Sequence, residues 1–119
     1  MVNYILATME YRFLSLIWEN EPLSSMDLVR KCDETFNWKK STTFTMIRKM
    51  KDKGLIKNDN SVVFSCVPRK EIIRMESSLF IDQMCSGSLS LFLSYYLYNK
   101  TLSNEEAETL IQLIDSYRR

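Results

Sequence analysis

The hydrophobic period of this chain changes once and then changes back, and that switch restricts the available folds more than any other feature. Through residue 53 the apolar residues recur at helical spacing, and over residues 55–67 they become β-branched and aromatic in short runs. After Pro68 the helical spacing returns. The first helix is predicted over residues 9–20, where Met9, Phe13, Leu16, Ile17 and Trp18 share a face and Thr8 stands in position to cap the start. Pro22 ends it, because proline disfavours helical geometry in the residue before it. Ser24 and Ser25 offer caps for a second helix, with Asp27 three residues beyond Ser24. Met26, Leu28, Val29 and Cys32 supply its apolar side, and it runs out near Phe36-Asn37. The third helix covers residues 40–53, with Phe44, Ile47 and Met50 at i, i+3 and i+6 and Met46 beside them. Gly54 follows where a left-handed residue closes a helix, and Lys49, Lys51 and Lys53 suit the negative end of the helix dipole.

Leu55-Ile56-Lys57 reads as a strand, Asn58-Asp59-Asn60-Ser61 as a turn, and residues 62–67 as the return strand, which Pro68 ends. Three helices and a hairpin in this order predict a winged helix-turn-helix over residues 1–69. Residues 70–119 are helical again. Ile72, Met75, Leu79 and Phe80 mark a helix over 71–83, Ser86-Gly87-Ser88 breaks it, and residues 89–98 form a short apolar helix. Ser103-Asn104-Glu105-Glu106 opens a last helix with Leu110, Leu113, Ile114 and Tyr117 on one side. The fold class is therefore mainly α with a small β-hairpin wing: a winged helix-turn-helix followed by a helical dimerisation domain. The tail is too apolar to stand alone, so Leu79, Phe80, Leu89, Phe92, Tyr96, Leu110 and Leu113 are expected to form the core of a homodimer.

Net charge is only +1, but it is unevenly placed. Residues 1–29 hold one basic and four acidic side chains, residues 30–57 nine basic and three acidic, and residues 71–119 four basic and seven acidic. Affinity for nucleic acid follows local neutralisation of phosphates, so the basic middle segment is the relevant figure.

Other classes of function are disfavoured. There is no histidine, the commonest general base, and the two glycines cannot build a phosphate-cradling loop. An enzyme is not expected. Cys32, Cys66 and Cys85 lie far apart with no paired spacing, so neither a metal nor any cofactor is expected. Scattered thiols without a signal peptide fit a cytoplasmic protein, and no apolar run is long enough for a bilayer.

A double-stranded DNA operator is the expected partner, with the third helix in the major groove. Its exposed early residues Ser41, Thr42, Phe44, Thr45 and Arg48 are the candidates for reading bases. Hydroxyls bond base edges, an aromatic edge packs on a thymine methyl, and arginine reaches guanine. The competing reading makes Phe44 a core residue. Lys39, Lys40, Lys49, Lys51 and Lys57 are the candidates for phosphate contacts, which position the protein without reading sequence. Trp18 and Trp38 read as core, or as packing under the recognition helix.

The ordered set of motifs resembles the penicillinase-repressor family of winged-helix transcriptional repressors. It comprises Met9-Glu10-Tyr11, Leu16-Ile17-Trp18-Glu19, Leu23-Ser24-Ser25, Asn37-Trp38, Thr42 and Thr45, and the run from Lys49 through Gly54 to Ile56. In the tail it continues with Phe80-Ile81-Asp82, Gly87-Ser88-Leu89 and Leu102-Ser103-Asn104-Glu105-Glu106. The resemblance implies a homodimeric repressor on a palindromic operator, controlling β-lactam resistance or, in one branch, copper transport. It also implies a protease that cuts the tail, at positions matching Tyr95-Tyr96 here. Several features depart from the family pattern. The tail ends in Asp115-Ser116-Tyr117-Arg118-Arg119, without the copper branch's cysteines, and Tyr95-Tyr96 replaces the usual Asn-Phe. Lys39-Lys40 replaces Ser-Pro before the recognition helix, Phe44 stands at a usually basic position, and the wing turn is shorter by about two residues. Two readings outside this family stay open: a winged-helix module that binds protein, and a redox-responsive regulator acting through its cysteines.

Overall fold

Helix α1 (Thr8–Asn20) starts one residue earlier than its apolar spacing predicts. Ala7, not Thr8, occupies the capping position, and alanine has no side-chain acceptor. The carboxylate of Glu10 compensates from inside the first turn, accepting the Ala7 N–H at 3.0 Å. Pro22 then turns the chain into a two-residue strand, β1 (Leu23–Ser24), which the sequence does not announce. Ser24 also caps α2 (Ser25–Phe36), its hydroxyl accepting the Asp27 N–H at 3.0 Å as the spacing predicts. Asn37, at φ 57°, closes α2 in the left-handed region that asparagine tolerates. Helix α3 (Lys40–Asp52) follows after a short turn, and Gly54, at φ 78°, lets the chain leave it. These coordinates come from a computed structural model that describes residues 6–119.

The hairpin is tighter than the turn-forming residues suggest. Strand β2 (Ile56–Asp59) runs two residues into the expected turn, and β3 (Val62–Ser65) pairs with it from Asp59↔Val62 to Ile56↔Ser65. Only Asn60 and Ser61 turn the chain, at φ 50° and 62°. Two consecutive positive φ values match the twist of the flanking strands, which explains why the ladder extends to the tip. β1 pairs with the other edge of β3, giving an antiparallel sheet in the order β1-β3-β2.

The core gathers Phe13, Leu14 and Ile17 from α1, Leu28 and Cys32 from α2, and Ile47 and Met50 from α3. Leu23, Leu55, Ile56 and Val63 from the sheet region complete it with Ile72. Each fully buried aliphatic or aromatic side chain contributes about 1.5–3 kcal/mol relative to exposure, so this cluster is the main source of stability. Trp38 stacks against Phe13 at 6.0 Å and lies 4.9 Å from Phe36, leading into α3 from beneath. Trp18 donates its indole N–H to the Val67 carbonyl at 2.9 Å, tying α1 to the end of the hairpin.

The chain divides into two compact units, Met1–Phe80 and Ile81–Arg119. Helix α4 (Arg69–Met84) runs through the division. Its first turns belong to the head, because Ile72 is buried there and Glu76 accepts the Leu6 N–H. A break after residue 69 would cut this helix from the core that it completes. In the second unit, α5 (Leu89–Tyr96) and α6 (Asn104–Ser116) are capped by Ser88 and Ser103. Helix α5 stops two residues short of its expected end, and Asn99 at φ 59° follows it. Neither α5 nor α6 buries a single residue.

Candidate nucleic-acid interface

Helix α3 is held by one face and free on the other. Thr43, Ile47 and Met50 point into the core, and this spacing leaves Ser41, Thr42, Thr45 and Arg48 exposed. Ser41, Thr42 and Thr45, with Met46 and Lys49, line an open groove of about 310 Å³. The Thr45 hydroxyl donates to the Ser41 carbonyl at 2.9 Å, so its proton stays within the helix and its lone pairs face outward. A second depression, of about 370 Å³, lies at the turn between α2 and α3, lined by Val29, Asp33, Asn37, Trp38, Lys39 and Lys40.

Phe44 is half-buried and packs against the core, with the Lys40 ammonium 5.9 Å from its ring centre. Its ring is thus shared between core and surface. Lys39, Lys51, Lys57 and Arg48 are exposed and form no ion pair among the described residues. These cations are available to an anionic partner.

Lys49 is placed differently. Its ammonium lies 2.6 Å from Oε2 of Glu10, and Lys53 lies 3.1 Å from Oε1 of the same carboxylate. Burial by itself would raise the Glu10 pKa. The contacts from Lys49, the Ala7 N–H and Lys53 outweigh it and hold the carboxyl below its usual range. Glu10 escapes a reading that looks only for exposed cations, yet it has a sequence signal. It precedes Phe13, Leu14 and Ile17 by three, four and seven residues, on the buried face of α1. Thr43 is likewise absent from the expected site and is fully buried.

The wing is anchored by Glu21, which accepts the Ser65 N–H at 2.8 Å and the Ser65 hydroxyl at 2.7 Å. Lys57 stands on β2, exposed. The cysteines divide by environment. Cys32 is buried, and burial pushes its thiol up to about 11. Cys85 is buried and Cys66 exposed. Among the described residues no group of three or more His, Cys, Asp or Glu side chains could hold a metal ion, and no helix is long and apolar enough to cross a membrane.

The tail residues expected to pair are half-buried or exposed. Leu79, Phe92 and Leu110 are half-buried, while Phe80, Leu89, Tyr96 and Leu113 are exposed, Leu113 at 53%. Tyr95 and Tyr96 lie in the last turn of α5, with Tyr95 75% exposed. The Lys100 ammonium sits 4.2 Å from the Tyr96 ring centre.

This architecture agrees with what comparison to known proteins finds. The family profile described as "Penicillinase repressor" matches residues 6–116. The chain is similar to a penicillinase repressor of Bacillus licheniformis, with 23% identity over 113 residues, covering 92% of this chain and 88% of that protein. The chain therefore belongs to the penicillinase-repressor family, and it is a DNA-binding, winged-helix transcription regulator and not an enzyme.

Proposed function

We propose that the protein is a cytoplasmic, homodimeric repressor that lays α3 in the major groove of each half of a palindromic operator. The observation that carries this reading is the outward stripe of Ser41, Thr42, Thr45 and Arg48, opposite the buried Thr43, Ile47 and Met50. Such a stripe presents hydroxyl oxygens and a guanidinium to base edges, with the edge of Phe44 beside them. Lys39, Lys40 and Lys51 flank it and Lys57 stands on the wing, where each can meet a phosphate. A module that binds protein needs no such concentration of unpaired cations, which favours DNA over that alternative.

The regulated gene proposed is one for β-lactam resistance or a related stress response, after the name of the Bacillus licheniformis relative. Dimerisation is assigned to residues 70–119, through the apolar side chains that α5 and α6 leave uncovered. Two linked heads bind far more tightly than one, because the second half-site is met at a high effective concentration. Half-site centres are expected about one helical turn apart or a multiple of it. Release by a protease is assigned to Tyr95-Tyr96. Cleavage there detaches α6 from the rest of the chain, after the last turn of α5 has opened to admit the bond.

Sequencing of DNA that co-purifies with the protein tests the reading directly. A recurrent palindrome upstream of a resistance gene supports it, and random genomic fragments count against it. Mass spectrometry of the protein from cells treated with a β-lactam tests the cleavage. A full-length chain that leaves its operator under induction rules that step out.

A further inference from the structure

Glu10 is a buried charge on α1 that the proposed DNA surface does not use, yet it holds two lysines of the α3 segment. The residue is 3% exposed. Oε1 takes the Ala7 N–H and the Lys53 ammonium, while Oε2 makes no well-angled hydrogen bond and depends on the Lys49 charge at 2.6 Å. Lys49 and Lys53 are one helical turn apart at the C-terminal end of α3. The carboxylate therefore joins the start of one helix to the end of another.

We propose that Glu10 is a positioning residue that substitutes internally for a DNA phosphate, engaging Lys49 and Lys53, withholding both from the DNA backbone and fixing the end of α3 against α1. This inference rests on the reading of α3 as the helix that meets DNA. The energetics favour the internal partner. A phosphate that captured Lys49 would leave a buried carboxylate oxygen unpaired, a cost larger than an exposed ion pair returns. Lys51, between the two, has no carboxylate to abandon and is free to bind phosphate. The low pKa of Glu10 keeps the tether charged at neutral pH. The consequence is selectivity: sequence-independent affinity grows with every available cation, and this site removes two of them.

The test measures binding of the full-length protein to a random-sequence duplex across a range of salt concentrations. Each phosphate contact adds about 0.9 to the slope of log affinity against log salt. Lys51→Gln should make the slope shallower by about 0.9. If it does not, the placement of α3 on DNA fails, independently of Glu10. Lys49→Gln should leave the slope unchanged, and a loss of about 0.9 overturns the inference. Glu10→Gln should make the slope steeper by about one to two units, by releasing both lysines. Adding Lys49→Gln to that variant should remove about half of the gain, which a purely structural role for Glu10 would not produce. A folded Glu10→Gln protein with an unchanged slope also overturns the inference. Should Glu10→Gln fail to fold, Lys49→Gln and Lys53→Gln decide the matter, since either one making the slope shallower is the contrary result.

Discussion

Arg48 and Lys49 are sequence neighbours with opposite circumstances. Arg48 is exposed with no ion pair among the described residues, while Lys49 is bound to a buried carboxylate. Arg48→Ala should therefore reduce specific binding more than non-specific binding, by about 1–3 kcal/mol of discrimination. Competitive gel shifts with operator and random DNA read this ratio, and an unchanged ratio would show that Arg48 touches no base. Glu10 should reveal itself through pH. Its pKa is lowered on folding, so its contribution is present above its ordinary value of 4.5 and fades as pH falls through the folded value. Glu10→Gln should cost about 1 kcal/mol near neutrality, by removing the charge that pairs with two partly exposed lysines. Thermal melts from pH 7 to pH 3 should show the two proteins converging at the acid end. A constant difference across that range would mean that the carboxylate charge contributes nothing.

At the scale of the element, the hairpin and α2 are built together. Ser24 ends the β1 ladder and caps α2 in the same residue, and the Ser25 N–H donates to the Ser61 carbonyl in the wing turn. Ser24→Ala removes the acceptor for the Asp27 N–H and should destabilise the head by about 0.5–2 kcal/mol. Ser103→Ala removes the equivalent cap of α6, where the donor is exposed to water, and the head should be indifferent to it. Urea titrations followed by tryptophan fluorescence separate the two, because both tryptophans lie in the head. Equal losses would mean that the cap of α2 is not special to the hairpin.

At the scale of the molecule, α5 and α6 carry Leu89, Leu91, Tyr95, Tyr96, Ile111, Leu113 and Ile114 into solvent. A single chain gains nothing from such a surface, and burying it against a second copy is the proposed resolution. Leu113→Asp combined with Ile114→Asp should give a folded monomer whose operator affinity falls by orders of magnitude, since the linked second head is lost. Sedimentation velocity and gel shift on the same sample check this. A dimer that survives both charges would move the interface away from α6.

The sequence alone determined the order of the six helices and of the two hairpin strands, because each is specified by neighbours along the chain. The period of Phe13, Leu16 and Ile17 marks α1, Ser24 and Asp27 start α2, and Gly54 releases the chain from α3. The bias of positive charge toward residues 30–57 is equally a property of the chain. What the tertiary structure decided concerns partners distant in sequence. Lys49 and Lys53 looked like any other lysines until folding brought Glu10 to them from about forty residues away. β1 is too short to carry a period, and only its ladder to β3 makes it a strand. Residue type does not separate Thr43 from Thr42 and Thr45, and the packing of α3 on the core does, burying Thr43 with Ile47 and Met50 while the other two stay exposed. Ile72 likewise belongs to the head, because burial is settled by what surrounds a residue in space and not by which segment it follows.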